Sequence, residues 1–459
     1  MARRLTDTGV KALCSMAVAG MLTALFDPLL IFGENRLQTI VVLSFYLYCI
    51  IVLVAPAGHR LFHLISIPVF SQFLHLYQKY DFPAGANSLW RLLPFVLVDM
   101  HLLILLAQFR IRLSIAEQCV FVSWIVLHVL FIGISPNLAA TIGGAFLLFL
   151  ITLPAYFAAL SILSHAPAFR AELEKCLFIL FVILALGTFG LVFAGMRYKD
   201  ADNLLVTRNI SDTNVTMAYF ILLWPFVLLY LKRRGNPLLL TILMVMLFAA
   251  VVILSFSRGA VFIVAPYLAA SLFIGNGKVR LIWLAMLGGM LCFFLDELVS
   301  LANVDVAYPW QLRFGELHSV GPAWEKWQEA SGRLDIHRVA WQLFLKSPLY
   351  GHGIASFEVL GPGYREAHSL LFTSLAEQGL AGTCYLYGLF VALGYGMFQK
   401  ARFDSGSWLL LLSLAAYLVF VHSVGSVFVI IPAKSLTINC IAPILLICMY
   451  HYSQSVNSD

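Results

Sequence analysis

Charge is scarce in this chain: only 11% of its 459 residues are Asp, Glu, Lys or Arg, against about a quarter in an ordinary soluble domain. That excludes a soluble globular enzyme, and it leaves no basic stripe for nucleic acid. Cysteine is absent from the polar loops. All eight (Cys14, Cys49, Cys119, Cys176, Cys292, Cys384, Cys440 and Cys448) fall in or beside apolar runs, so neither a disulfide framework nor a zinc site is indicated, and they read as small core residues. Internal repeats and low-complexity tracts are lacking too. The basic start, Met-Ala-Arg-Arg, is followed by an apolar run without a clear small-residue cleavage site, so this run reads as a first span rather than a signal peptide.

What the chain has in abundance is hydrocarbon. Hydrophobic residues make up 61% of it and the mean hydropathy is +0.91. A crossing helix needs roughly 20 apolar residues, and such runs recur from residue 9 almost to the end. The expected fold is all-α, a polytopic membrane bundle of about 12–14 spans. Short basic turns stay cytoplasmic. Lys232-Arg233-Arg234 and Lys278 with Arg280 are two such turns, so the connection Ser255-Phe256-Ser257-Arg258-Gly259-Ala260 between them belongs on the outer face. Lys400 with Arg402, Arg170 with Lys175, Arg110 with Arg112, and Arg60 mark further inner turns. Parity then requires a span within 61–77, which Pro68 also allows to be an interfacial or re-entrant helix. The organisation expected is a first membrane part over 1–297, an outer loop over 298–367 and a last membrane part over 368–459.

The outer loop is the one strong shift in composition. It carries Trp310, Trp324, Trp327 and Trp341 with Arg313, Arg333 and Arg338, a mixture that suits a sugar, with ring faces for stacking and polar groups for hydroxyls. An interface-anchored loop would use the same tryptophans, and composition leaves both readings open. Arg258 places a permanent charge at the membrane boundary, where it either binds phosphate or caps its span through an ion pair. Arg333 and His337 share one face of a predicted helix at i, i+4 spacing. The turn Ser347-Pro348-Leu349-Tyr350-Gly351-His352-Gly353 follows, and then His368-Ser369 opens an apolar span containing Gly379 and Gly382. A neutral histidine there can take a proton from a sugar hydroxyl.

These residues resemble the O-antigen ligase and O-antigen polymerase superfamily of bacterial envelopes over about the last 180 residues. The resemblance rests on Ser-Arg-Gly-Ala at 257–260, on Gly332-Arg333 followed by Trp341 and the 347–353 turn, and on His-Ser-x9-Gly-x-x-Gly at 368–382. One place departs mildly, where Phe262 stands for the usual leucine. The resemblance implies a metal-independent, inverting glycosyltransferase without a cofactor. It would act in the bacterial inner membrane with its site facing the periplasm. The donor would be a glycan on undecaprenyl diphosphate and the acceptor the lipid A core. Arg258 and Arg333 would bind the diphosphate, and His368 would act on the acceptor hydroxyl as base or align it. Arg338, His337, Arg208, Glu377 and His352 are candidates for the surrounding shell, with Glu377 expected to pair with an arginine, orient the histidine or bond within its own helix.

Three alternatives stand beside this reading. A polymerase would use the same donor and lengthen the lipid-linked chain. A metal-dependent transferase would want outer carboxylates such as Asp296-Glu297. A transporter or flippase would read Asp99, His101, Glu117 and His128 as a relay.

Overall fold

The computed structural model describes residues 61–69, 87–109, 113–193, 197–199, 205–207, 213–255, 257, 259–274, 333–363, 366–401, 404–423, 425, 428–429 and 440–455. Arg258, Arg208, the acidic pair Asp296-Glu297, three of the four loop tryptophans and most of the loop itself lie outside them, as do the basic turns at 60, 110–112 and 278–280.

The described chain is an all-α membrane bundle. Its helices are α1 (61–69), α2 (Asn87–Gln108), α3 (Ile115–Gly133), α4 (Leu138–Leu163), α5 (Phe169–Phe193), α6 (Thr213–Arg233), α7 (Leu238–Leu254), α8 (Ala260–Ile274), α9 (Arg333–Lys346), α10 (Phe357–Leu360), α11 (Leu370–Ala401), α12 (Ser405–Ser423) and α13 (Ile441–Gln454). Five described helices are long and apolar enough to cross a membrane: α3, α4, α6, α11 and α12. Shorter apolar helices lie in α2, α7 and α8. A small antiparallel hairpin, β1 (Arg197–Lys199) and β2 (Leu205–Thr207), joins α5 to α6, with Arg197 opposite Thr207. The helical reading of the sequence had no place for it.

Helix α6 is the central post, packed against α5, α7, α12 and α13. Trp224 on it is fully buried, and its indole N–H donates to Ser271 Oγ of α8 at 2.7 Å. Helix α3 starts on a capping box in which Ser114 Oγ accepts from Glu117 N and Glu117 Oε2 accepts from Ser114 N at 2.7 Å, satisfying two of the first-turn donors. Cysteines 176, 440 and 448 are buried, whereas Cys119 and Cys384 are exposed on the sides of spans. The core reading is corrected for those two, because in a bilayer an apolar side chain is equally at home facing lipid.

The basic turns gather at one end of the bundle. Arg170 donates to Ser455 through Nε (2.9 Å to Oγ) and Nη2 (2.7 Å to the carbonyl). Arg233 forms a two-pronged ion pair with Glu174 at 2.7 and 3.0 Å, and Tyr452 donates to the same carboxylate at 2.6 Å. Lys232 reaches Ser405 Oγ at 2.9 Å, and Lys400 reaches the Ser453 carbonyl. A bidentate guanidinium on a buried carboxylate suits this setting, where an unpaired charge would be costly. Because α6, α11 and α13 finish here, the ends of α3, α7 and α12 and the start of α11 lie at the opposite end.

That opposite end is organised by a break in α11. At Gly379 the backbone turns to φ +60°, ψ −161°. In an unbroken helix the Leu380 and Ala381 amides would bond to Ala376 and Glu377. Instead they donate to Pro348 O (2.8 Å) and Leu349 O (3.0 Å), while Ala376 O and Glu377 O accept from His352 N (3.1 Å) and Gly353 N (2.7 Å). The 347–353 turn thus replaces two helical bonds by four, and none of the four groups freed at the break is stranded, which hydrocarbon would penalise by several kcal/mol each.

So close an approach needs glycine. A Cβ on Gly379 would sit 2.5 Å from the Leu349 carbonyl carbon, and one on Gly351 would sit 2.4 Å from that of Glu377. Gly382 leaves room for Gln378 and Phe131, so both glycines of the His-Ser-x9-Gly-x-x-Gly pattern have a steric reason. The same turn is pinned to α3, since Ile354 N donates to Phe131 O at 3.0 Å and Ser135 Oγ donates to Ile354 O at 2.7 Å.

Gly379→Ala combines left-handed backbone strain with overlap on Leu349, and we expect it to cost about 2–4 kcal/mol. Gly388→Ala, with nothing within 4 Å of its Cβ, should leave stability unchanged or raised. Thermal denaturation in detergent checks both, and a Gly379→Ala protein as stable as wild type contradicts the close approach.

Candidate functional site

Helix α9 packs its apolar face (Ile336, Ala340, Leu343) on Phe357, Ala367 and Ala376. The other face carries Asp335, Arg338 and Lys346. Arg333 opens the helix and its Nη1 donates to the Ser423 carbonyl at 2.7 Å, at the C-terminus of α12, where the helix dipole favours a cation. One turn on, the His337 ring stacks on Phe372 with centroids 4.4 Å apart and bonds to the Ala367 backbone. Burial first, and then the Arg333 guanidinium, hold its pKa below the usual imidazole value, so His337 is neutral near pH 7. Its Nε2 is buried without a hydrogen-bond partner among the described residues.

Helix α9 therefore brings Arg333 and His337 to the segment that carries His368. This residue has φ +53°, a left-handed conformation that costs a residue with a Cβ about 1–2 kcal/mol. The surrounding chain fixes it: Ala367 N donates to Thr373 Oγ1 at 3.0 Å, Thr373 N donates to Ser369 O at 2.9 Å, and Ser369 is buried. Left-handed backbone at a non-glycine position concentrates where function demands it. His368 is about one-third exposed, and its Nδ1 lies 3.9 Å from Glu366 Oε1.

The other candidates divide. Arg338 points to the surface and bonds to Asp335 at 2.9 Å, with both side chains exposed, away from His368. His352 Nε2 meets the Leu343 carbonyl at 2.9 Å and so closes the end of α9. Among the described residues Glu377 bonds neither an arginine nor within its own helix: its buried carboxylate accepts from the Phe357 and Ala355 backbone, at the start of α10. The cause is its place two residues before the Gly379 break, which turns it toward the 355–358 segment. Asn137 serves the same segment from α4, donating to Ala355 O at 2.8 Å and to Glu358 at 3.3 Å. Glu366 is the residue that sequence reading passed over; a carboxylate two positions before the histidine was its available signal.

The Ser257 turn lies at this same end because α7 runs away from the basic turn at 232–234. Ser257 Oγ accepts from Ala260 N at 3.2 Å, capping α8 beside the position of Arg258, which is itself outside the described residues.

A comparison with curated proteins found no match. A family model described as O-Antigen ligase matches residues 243–387, about a third of the chain, from within α7 to just past Gly382. That stretch encloses the Ser257 turn, α9, the 347–353 turn and the His368–Gly382 segment, and the match supports placing the chain in the O-antigen ligase and polymerase superfamily.

Proposed function

We propose that the protein is an O-antigen ligase of the bacterial inner membrane, which transfers a finished glycan from undecaprenyl diphosphate to the lipid A core on the periplasmic face. The observation that carries this reading is that His337, with Arg333 one turn before it, is held against the backbone of Ala367, the residue next to His368, at the end of the bundle opposite its basic turns. By the positive-inside rule that end faces the periplasm, where both lipid-linked partners would present their sugars. The boundaries at 298 and 368 then divide the membrane parts from an outer segment that supplies Arg333.

In the proposed reaction the acceptor hydroxyl approaches the anomeric carbon from the face opposite the diphosphate. Its oxygen forms the new bond as the carbon–oxygen bond to phosphate breaks, and the configuration inverts. The electron pair leaves with the diphosphate. Arg258 and Arg333 stabilise the developing charge from fixed positions, a task that a divalent cation commonly performs, and the N-terminus of α8 adds a favourable dipole. His368 takes the hydroxyl proton. His337, kept neutral by burial and by Arg333, adds no second positive charge that would oppose protonation of His368.

Reconstitution with lipid-linked glycan, rough lipopolysaccharide and chelator tests this. Wild type should cap the lipid A core, and His368→Ala, Arg333→Ala and Arg258→Ala should each lose about 100-fold or more of the turnover while remaining folded. Lengthening of the lipid-linked chain instead would make the protein a polymerase, and neither product would return the transporter reading. Orientation is checked separately on a background without native cysteines. In intact cells whose outer membrane has been permeabilised, Leu360→Cys should react with a membrane-impermeant maleimide and Asn236→Cys should not; the reverse pattern inverts the assignment.

A further inference from the structure

We propose that Glu366 is the positioning residue of His368: its carboxylate holds the ring through Nδ1 and stabilises the protonated imidazole, so that Nε2 is aimed at the acceptor hydroxyl. The aiming step rests on the ligase reading; the pairing does not.

Three features of the structure point to the pair. Nδ1 of His368 and Oε1 of Glu366 are 3.9 Å apart, with the carboxylate only 15% exposed and the ring 34%. At this distance a modest ring rotation closes a direct hydrogen bond, and such bonds in active sites commonly tighten only when substrate is present. Second, the left-handed backbone at His368 turns the histidine out of register with α11, two positions after Glu366. The conformation is held by the Thr373 bond to Ala367, on the one residue that separates the two. Third, among the described residues the other carboxylates at this end are held by different partners. Helix α9 brings His337 to the Ala367 backbone, with Arg333 in electrostatic reach of that ring. Glu377 of α11 and Tyr417 of α12 lie within electrostatic reach of Glu366, but Glu377 is engaged by the 355–357 backbone, and Glu358 of α10 by Asn137. Glu366 is the carboxylate placed beside the His368 ring.

The chemistry balances with one proton. It moves from the acceptor hydroxyl to Nε2 as the glycosidic bond forms, Glu366 keeps its negative charge throughout, and the histidine returns the proton to water afterwards. A carboxylate on the far nitrogen of a histidine fixes its tautomer and supports the imidazolium in the same manner in hydrolase triads.

The test uses the full-length protein in detergent and Glu366→Gln, with Glu366→Asp as the charge-retaining variant. Diethyl pyrocarbonate modifies neutral imidazole, so its rate at the His368 peptide, followed by mass spectrometry across pH 5–8, reports the protonation of this one ring. Removing the negative charge should lower the midpoint by about half to one pH unit in Glu366→Gln, speeding modification near pH 6, whereas Glu366→Asp stays close to wild type. In the transfer assay Glu366→Gln should lower kcat about 10-fold with KM little changed, and Glu366→Asp should recover part of it. A midpoint unmoved in Glu366→Gln overturns the pairing, and unaltered kcat with a shifted midpoint overturns the aiming. A midpoint shifted in Glu366→Gln, found together with a wild-type protein that transfers no glycan, upholds the pairing and contradicts the ligase reading instead.

Discussion

The rest of the site depends on an exchange of backbone hydrogen bonds across the break at Gly379. Within a bilayer a helix is the default because it satisfies its own polar groups, so interrupting one demands replacements of equal quality. Here the replacements come from the turn at 347–353, which accepts from Leu380 and Ala381 and donates to Ala376 and Glu377. The break aims the first segment of α11, with His368 at its head, toward α9 rather than along the rest of the span. The turn that makes the repair is the continuation of α9, and His352 closes that helix on the Leu343 carbonyl. Placement of Arg333 and placement of His368 are therefore consequences of one structural event.

The two ends of the bundle divide the labour. Arg170, Glu174, Arg233, Lys400 and Tyr452 knit the termini of four helices at the basic end, where ion pairing is possible beside water. At the other end polar groups are spent on backbone geometry: Ser135 and Asn137 on residues 354–358, Glu377 on the start of α10, Thr373 on the approach to His368. Arg333, resting on the Ser423 carbonyl, is a cation brought up to a region that is rich in carboxylates among the described residues. That polarity suits the proposed reaction, in which a diphosphate would be held while a histidine stays able to accept a proton.

Much of this was legible in the sequence, and the reasons differ by feature. The basic turns could be read because the cost of carrying Lys and Arg across a membrane leaves a strong imprint on short loops. The 368–382 pattern could be read because glycine at positions of left-handed backbone and close approach is not interchangeable with other residues. The start of α9 at Arg333, with His337 one turn on, followed from helical spacing alone. What escaped was decided by contacts between distant parts of the chain. Asn137 meets Ala355 and Glu358 across more than 200 residues, a pairing that no local pattern encodes. Glu377 read as a partner for arginine or histidine, yet the break beside it turns it toward the 355–357 backbone. Glu366 was hidden because a lone carboxylate near a histidine says nothing until the left-handed turn between them is known. The exposed Cys119 and Cys384 show the remaining ambiguity, since hydropathy does not distinguish a side chain facing lipid from one facing a neighbouring helix.

The account's central claim is that the 347–353 turn and the Gly379 break form a single hydrogen-bonded unit. Amide hydrogen exchange in detergent or nanodiscs, resolved at His352, Gly353, Leu380 and Ala381, measures it directly. Those four amides should exchange slowly and together, and Gly351→Ala should accelerate them in concert while leaving the α5–α6 pairing at the basic end protected. Rapid exchange of His352 and Gly353 beside slow exchange of Leu380 and Ala381 would mean that α11 is repaired by its own backbone and that the turn is an independent loop, which would contradict the account.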